Sequence, residues 1–390
     1  MGSVCFVADD MCTTLKLEVK RIHDYFVAND WGIANTYDDA DLIICPTCVG
    51  WKKLEENSLE RLSDLSVYGN KVVSLGCLNS FNPSAVALVH KGICVSTQKL
   101  DNISSLIPDS KVKLGDIPEP STFRCKEDYR LYDLTKRYVN ISLGCSFSCT
   151  YCPHKIGLGP LKSRRVEDIV SQIEDILKML RILVLTGMET AFYGNDIGSS
   201  YPILLKKVLK IDSDFEIHVA QFHPAGVVRY YNEILPLFSN HRITDIQIPI
   251  QTTSDRLLKL MNRPRKIQNK LKKFMNEVRK KNKKAVFRTD IIVGFPTETL
   301  EELYETLNFV SDVFDEVAVY ACEIREGLPV NKLVDSAYDK KELNKRVKLA
   351  TDFVETKGKM VHGGQQADLS LNEIEKRKED IRNKRNALSL

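Results

Sequence analysis

Short apolar segments alternate with amphipathic segments along most of the chain, and this alternation predicts its secondary structure. In the first third, the apolar runs that favour strands are VCFVA (4–8), DLIICPT (41–47), KVVSLGC (71–77) and GICVS (92–96). Amphipathic stretches such as LEVKRIHDYFVAND separate them. Strands that alternate with helices are typical of βαβ units, so we predict an α/β fold that begins with a small doubly wound parallel-sheet domain.

A second series of apolar runs, with helix-like segments between them, occupies the middle of the chain. These runs are RYVNISLG (137–144), RILVLTG (181–187), FEIHVAQ (215–221), ITDIQIPI (243–250), VFRTDIIVGF (286–295) and EVAVYACEI (316–324). Six successive βα units predict a partial (β/α)6 barrel. In barrels of this kind the chemistry is found where the strands end.

The predicted boundaries fall where the periodicity is lost. They give an N-terminal domain (1–105), a linker with three prolines (106–132), the barrel (133–330) and a charged helical C-terminal segment (331–390). In the last segment, Ser370 and Glu373 match a capping box. Ile374, Ile381 and Leu388 then repeat every seven residues, so this helix is expected to pack on the barrel or on a partner.

The composition is that of a globular protein with two domains. The chain has 390 residues, 43% of them hydrophobic, and single cores seldom grow beyond about 250 to 300 residues. No run approaches the roughly 18 apolar residues of a membrane span, and the start MGSVCFVADDMC lacks the pattern of a secretory signal. We therefore expect a cytoplasmic protein. Its 11 cysteines are too sparse for a disulfide scaffold, so clustered thiols indicate metal or redox chemistry.

The positive charge is unevenly distributed. The net charge is only +4, but PRKIQNKLKKFMNEVRKKNKK (264–284) contains Glu277 as its sole acid. Such a run is able to bind phosphate groups. The alternative is a solvated outer helix.

The stretch GCSFSCTYC (144–152) places Cys145, Cys149 and Cys152 on one loop at the end of the first barrel strand. Thiolates are ligands of iron-sulfur clusters, and three of them can hold three irons of a cubane while the fourth iron stays open. The alternatives are a zinc site, with His154 as the near fourth ligand, or plain buried cysteines. The position at a strand end favours catalysis over structural zinc.

This loop resembles the signature of the radical S-adenosylmethionine superfamily, which CSFSCTYC matches in full, Tyr151 included. The resemblance implies that Cys145, Cys149 and Cys152 hold a 4Fe-4S cluster. The amino and carboxylate groups of S-adenosylmethionine would chelate its open iron, and one electron from a donor protein would release a 5′-deoxyadenosyl radical. The protein would supply placement and exclude water.

Cys12, Cys48 and Cys77 each lie at or just beyond the end of a predicted strand, or in the turn that follows it. The carboxyl ends of parallel strands share one edge, so these residues are able to converge on a second cluster. The alternative is that they are ordinary core residues. That alternative better suits the cysteines inside strands, namely Cys5, Cys45, Cys94 and Cys322.

Further motifs resemble the methylthiotransferase family, which carries three such cysteines ahead of its radical barrel. The motifs ADDMCTT, CPTCVGW and SLGCLNS are followed in the family's order by LTGMETAFYGNDIGSSYPILL, PIQTTSDRLLKLMNRP and TDIIVGFPTETLEEL. The resemblance runs from about residue 4 to 330. Within it, YGNDIGSSYP is most similar to the branch that thiomethylates threonylcarbamoyl-adenosine in tRNA.

The resemblance implies a role for each set of residues. An auxiliary 4Fe-4S cluster on Cys12, Cys48 and Cys77 would provide or carry sulfur, which one S-adenosylmethionine methylates. A second S-adenosylmethionine would yield the radical that removes hydrogen from an unactivated carbon. The cofactor contacts implied with it are Tyr151 beside the adenine, Gly187, Met188 and Glu189 near the methionine amino group, and Gln251. Each of these contacts has a purely structural alternative.

The chain departs from the family in ways that concern the substrate. KIGLGPLKSR lacks the usual Arg-Gly pair, YACEIREGLPVNK replaces the usual motif after the sixth strand, and no run of alternating strands follows residue 330. The leading hypothesis is a tRNA methylthiotransferase that uses the run 264–284 to bind RNA. The alternatives are a methylthiotransferase acting on a peptide or ribosomal protein, and a non-catalytic metal-containing binding module.

Overall fold

The computed structural model describes residues 2–7, 11–122 and 136–362. The strands of its N-terminal part are β1 (Ser3–Phe6), β2 (Gly32–Ile33), β3 (Leu42–Thr47), β4 (Val72–Gly76) and β5 (Ile93–Val95). The helices between them are α1 (Thr13–Ala28), α2 (Lys52–Asp64), α3 (Leu78–Phe81) and α4 (Pro83–Val89). All strand pairs are parallel, in the order β2-β1-β3-β4-β5.

Apolar clusters cover both faces of this sheet. Val4 and Ile44 pack with Leu15 of α1 on one face, whereas Ile43 packs with Leu62 of α2 on the other. Successive residues of a strand point to opposite faces, so a continuous apolar strand needs helices on both sides. The arrangement is the doubly wound layer predicted from the sequence.

The strands of the larger part are β6 (Lys136–Asn140), β7 (Ser142–Leu143), β8 (Lys162–Ser163), β9 (Ile182–Thr186), β10 (Glu216–Val219), β11 (Ile243–Gln247), β12 (Val286–Val293), β13 (Glu316–Ala321) and β14 (Met360–His362). The helices are α5 (His154–Leu158), α6 (Val166–Leu177), α7 (Tyr201–Val208), α8 (Pro224–Arg229), α9 (Tyr231–Phe238), α10 (Asp255–Leu260), α11 (Gln268–Lys281), α12 (Leu300–Val313) and α13 (Lys340–Thr356). Short 3-10 helices cover Leu65–Lys71, Thr97–Leu106, Leu114–Asp116 and Pro329–Ser336.

The main sheet of this part is parallel throughout, in the order β14-β13-β12-β11-β10-β9-β6. Strands β7 and β8 form a separate antiparallel pair. In the part of the chain that the structure describes, β6 pairs only with β9 and β14 only with β13, so the sheet is open. The predicted fold class, an α/β chain with a partial barrel, is confirmed.

Helices cover the barrel sheet through periodic apolar residues. In α6, Val166, Ile169, Ile173 and Ile176 are buried at helical spacing. Helix α12 begins with a capping box, in which Thr299 and Glu302 satisfy each other's backbone amides. Both helices begin at the carboxyl edge of the sheet.

The structure differs from the sequence pattern near the C terminus. The segment from residue 331 is predicted to be helical, whereas α13 is followed by strand β14. Three residues are too few to show strand periodicity, and β14 forms because pairing with β13 buries Met360 and Val361. The predicted capping box at Ser370 and Glu373, and the repeat that follows it, lie outside the described residues.

The predicted linker is partly packed. Ile107, Leu114 and Ile117 are buried in the same apolar cluster as Leu15 of α1. Residues 107–117 therefore lie on the N-terminal sheet.

Among all the residues that the structure describes, no helix combines the length and hydrophobicity that crossing a bilayer requires.

Candidate active site at the carboxyl edges of the two sheets

The three-cysteine loop (144–152) connects β7 to α5 and is anchored to the barrel. Gly144 has φ +70°, and a Cβ at this position would come within 2.0 Å of Pro160 O, so only glycine fits. Farther along, Thr150 N donates to Met261 O over 3.1 Å, and Val330 N donates to Thr150 O over 3.0 Å. Both contacts come from segments that follow later barrel strands, so the barrel fixes the loop's shape.

Each sulfur atom of this loop has a nitrogen neighbour. Phe147 N donates to Cys145 Sγ over 3.4 Å, Arg263 Nη1 donates to Cys149 Sγ over 3.6 Å, and His154 Nδ1 lies 3.4 Å from Cys152 Sγ. Burial raises the pKa of all three thiols, that of Cys145 to about 12. Ligand binding would therefore release protons, and N–H groups aimed at sulfur are what cluster thiolates need. The loop fits an iron-sulfur cluster.

Arg263 is a site residue that the sequence analysis did not single out. It is 9% exposed, and it donates to Tyr151 Oη over 3.3 Å and to Pro249 O over 2.5 Å. Its guanidinium thus joins the three-cysteine loop to the segment after β11. The motif that ends in MNRP contains this residue, but its contact with the three-cysteine loop spans more than 100 positions, so no local pattern in the sequence points to it.

Unsatisfied buried oxygens lie beyond the ends of β9 and β11. Glu189 Oε1 accepts from Phe192 N over 2.9 Å, but Glu189 Oε2 and Gln251 Oε1 have no partner among the described residues. Burial raises the pKa of Glu189 to about 7. A buried oxygen that accepts no hydrogen bond is energetically costly. These two oxygens therefore fit a bound ligand with a cationic amino group, such as S-adenosylmethionine.

The other predicted cofactor contacts occupy the same region. A Cβ at Gly187 would lie 3.0 Å from Ser142 Oγ, so the turn after β9 packs closely on β7. Met188 packs in the apolar cluster that contains Cys77. Gln251 has φ +71°, a left-handed conformation that is unusual outside glycine and is often found at functional sites.

The N-terminal cysteine triad (Cys12, Cys48 and Cys77) comes together at the carboxyl edge of the first sheet. Cys12 precedes α1, Cys48 follows β3 and Cys77 follows β4. The thiols of Cys12 and Cys77 both lie close enough to that of Cys48 to shift its pKa, and Cys77 Sγ donates to Thr47 O over 3.7 Å. Val49 N lies 3.3 Å from Cys77 Sγ, and Gly50 N lies 3.4 Å from Cys48 Sγ. The donor set fits a second cluster as well.

The pKa values of the triad's thiols depend on one another. Hydrogen bonds from Cys12 and Cys77 hold the pKa of Cys48 below its usual range, and the same contacts with burial raise the pKa of the other two. Within 2–7, 11–122 and 136–362, no three His, Cys, Asp or Glu side chains surround a position for one metal ion. A cubane is bound through separate irons, so its thiols do not meet at one point.

Helix α5 separates the two cysteine sites. It begins two residues after Cys152, and a Cβ on Gly157 would lie 2.9 Å from Cys77 Cβ. Leu158 joins Met188 in the apolar cluster around Cys77. The short helix α5, with Gly157 at the point of contact, therefore lies between the two cysteine sites.

A second connection joins the segment after β13 to the loop that carries Cys48. Arg325 is 5% exposed; it donates to Val49 O over 2.6 Å and pairs with Glu55. Glu323 Oε2 accepts from Lys52 N, the first residue of α2, over 2.8 Å. These partners are some 270 residues apart in sequence, so no local pattern could have revealed them.

The fold and the three-cysteine loop define a radical S-adenosylmethionine enzyme, and residues 139–310 match the Radical SAM superfamily. Coproporphyrinogen III oxidase (HemN) from Escherichia coli is a solved radical SAM structure to which the chain is similar. The two are 18% identical with a TM-score of 0.40, over 57% of this chain and 52% of that chain. The superfamily implies a 4Fe-4S cluster and S-adenosylmethionine.

Curated relatives indicate which family of radical SAM enzymes the chain is similar to. The chain is 32% identical to the ribosomal protein uS12 methylthiotransferase RimO of Thermosipho africanus, over 82% of this chain and 75% of that protein. It is 27% identical to the probable threonylcarbamoyladenosine tRNA methylthiotransferase of Archaeoglobus fulgidus, over 86% and 80%. The chain belongs to the radical SAM methylthiotransferase family and is an enzyme of that class.

Proposed function

We propose that this enzyme inserts a methylthio group at an unactivated C–H bond of a modified adenosine in tRNA, in the cytoplasm. It would use one 4Fe-4S cluster on Cys145, Cys149 and Cys152, and an auxiliary 4Fe-4S cluster on Cys12, Cys48 and Cys77. The observation that carries the proposal is the contact of Gly157 with Cys77, because it places two three-thiol sites on either side of one short helix. A donor protein would supply the electrons.

When bound, the cluster and S-adenosylmethionine supply a carbon-centred radical able to abstract hydrogen. The protein's own residues would position and shield that chemistry. Arg263 places positive charge beside Cys149 and orients Tyr151 for contact with the adenine. Glu189 and Gln251 offer acceptors to the methionine amino group, while Met188 helps to exclude water.

The domain assignment is part of the proposal. Residues 1–105 would form the auxiliary-cluster domain, 133–330 the radical barrel, and 331–390 an appended segment, with 106–132 between the domains. Arg325 and Glu323 support the joint action of the two domains, because their side chains bond the barrel to the segment that follows Cys48. Both domains are then needed for one active site.

The choice of tRNA over ribosomal protein rests on one loop. Relatives of both kinds match the chain, but the loop in YGNDIGSSYP is most similar to the tRNA branch. In the structure, residues 195–198 of this loop are exposed. Ser199 N donates to Gly194 O over 2.8 Å, which closes the loop. It therefore presents a defined surface to a substrate.

Expression in a host that lacks its own enzyme tests the proposal. Mass spectrometry of tRNA nucleosides is expected to reveal a methylthio-adenosine derivative with the intact chain and none with Cys48→Ala. If the tRNA gains no methylthio group while ribosomal protein uS12 does, the peptide alternative is correct. If neither substrate is modified and reconstituted protein leaves S-adenosylmethionine intact under strong reductant, the chain is a binding module.

A further inference from the structure

We infer that an unpaired stretch of RNA docks on the rim patch, a surface formed by Phe192, Arg229, Tyr231 and Lys270, with the buried ring of Tyr230 beneath Arg229. The inference rests on the proposed function and names the side chains that would grip its substrate. These residues follow β9, β10 and β11, on the edge of the sheet where the three-cysteine loop lies.

Aromatic contacts make the rim patch continuous with the three-cysteine loop. Phe147, two residues after Cys145, stacks on His223 with ring centroids 3.7 Å apart and planes at 13°. Phe192 meets the same Phe147 ring edge to face, with centroids 5.0 Å apart. A base stacked on this surface would therefore lie beside the loop that is proposed to generate the radical.

The cations of the rim patch lie over aromatic rings and face solvent. The Arg229 guanidinium is 5.6 Å from the centroid of Phe192 and 5.3 Å from that of Tyr230, and Arg229 is exposed. Lys270 is also exposed; its Nζ lies 5.5 Å from the Tyr231 ring centroid and donates to Val228 O. Neither cation has a carboxylate partner among the described residues, so both are available to phosphate.

Two acidic groups near the rim patch have partners of their own. Glu277 accepts from Tyr231 Oη over 3.0 Å and lies 3.9 Å from Lys273 Nζ. Asp196 accepts from Ser163 N over 2.7 Å. Neither carboxylate is paired with Arg229 or Lys270.

Two other cations of the basic run 264–284 are already paired with carboxylates. Lys272 pairs with Asp312 over 2.5 Å and Arg279 with Asp315 over 3.0 Å, on the outer wall of the barrel. Helix α11 also descends from the rim, because Asn282 just past its end donates to Ile243 O at the start of β11. Only the first turn of α11 reaches the rim, so most of the basic run lies far from the proposed chemistry.

The combination of groups favours RNA over a peptide. Aromatic faces interleaved with cations stack unpaired bases and neutralise phosphates in single-stranded nucleic acid. The neighbouring loop that contains Asn195 is held in place, because Tyr230 Oη donates to Asn195 Oδ1 over 3.0 Å. Ile197 in the same loop is 43% exposed and adds an apolar contact surface beside the rim patch. A peptide has neither the phosphates nor the bases that these groups match.

The test measures binding of the full chain to a fluorescent RNA stem-loop with an unpaired loop, at several salt concentrations. Arg229→Gln with Lys270→Gln is expected to reduce the salt slope by about 1.4 and to weaken binding by about 25-fold at 0.1 M salt, since each lost phosphate contact on a single strand removes about 0.7. Phe192→Leu is expected to weaken binding by about 5-fold to about 100-fold through lost stacking.

The matched control is Lys280→Gln with Lys283→Gln, which removes the same charge from exposed residues at the opposite end of α11 and beyond it. It is expected to bind like the unaltered chain. The inference is overturned if the control loses as much affinity as the rim pair, or if the rim pair and Phe192→Leu both bind normally. In either case a methylthio product in tRNA would leave the proposed function standing, whereas uS12 modification without RNA binding would overturn both.

Discussion

Replacing Arg325 by Met tests how the barrel holds the loop that carries Cys48. The guanidinium donates to the buried carbonyl of Val49, pairs with Glu55 and lies 4.8 Å from the Phe81 ring centroid. The substitution leaves the Val49 carbonyl without this donor and the Glu55 carboxylate without its cation, with only the neutral Asn82 Nδ2 donating to it over 3.1 Å. Removing one partner of a buried ion pair costs about 3 to 5 kcal/mol, so we expect a loss of that size in the free energy of unfolding.

Urea unfolding followed by tryptophan fluorescence measures this loss, because both tryptophans, Trp31 and Trp51, lie in the N-terminal part that Arg325 holds. Arg325→Met with Glu55→Met is expected to lose less than Arg325→Met alone, since no charge is then stranded. Lys348→Met, which breaks an exposed pair, is the control and should cost no more than about 0.5 kcal/mol. The reasoning is refuted if Arg325→Met costs as little as the control, or if the double variant loses more than the single one.

Three further predictions concern single residues. Gly157→Ala pushes a methyl group against Cys77 and is expected to lower the iron content after reconstitution by about half; unchanged iron would contradict the proposed contact of the sites. Glu189→Gln is expected to weaken S-adenosylmethionine binding by about 10-fold to about 100-fold in calorimetric titration, since a charged acceptor is lost; unaltered affinity would remove Glu189 from the site. Burial raises the pKa of Glu298 from 4.5 to about 7, so the folded state binds an extra proton between those values. Glu298 should therefore lower the free energy of unfolding by about 3 kcal/mol as pH rises through that window, and in Glu298→Gln the urea midpoint should depend correspondingly less on pH.

The sequence carries most of the architecture, because the longer strands of both sheets have a local signal. Apolar runs such as those of β9 and β12 are bounded by helical patterns, and parallel strands place their carboxyl ends on one edge. That rule is why Cys12, Cys48 and Cys77, spread over more than sixty positions, could be expected to meet. The spacing within the three-cysteine loop is also local, so it needs no knowledge of the fold.

The contacts that complete the site are not local. Arg263 meets Cys149 only because the segment after β11 folds over the loop, and Arg325 meets Val49 only because the barrel packs on the first sheet. In the sequence, the run 264–284 is one basic segment. In the structure, Arg279 pairs with Asp315 on the outer wall of the barrel, whereas Lys270 lies at the rim. Strand β14 depends on β13 for its pairing. The hydrophobic periodicity of the sequence cannot predict any of these contacts, because each is determined by tertiary packing.

The most direct test is the amount of iron and acid-labile sulfide bound after anaerobic reconstitution. The account predicts about eight of each per chain, and about four of each when Cys12, Cys48 and Cys77 are all changed to Ala, or when Cys145, Cys149 and Cys152 are. A value of about four in the unaltered chain that does not fall in the N-terminal triple variant, or one zinc ion in place of iron at either site, would contradict it.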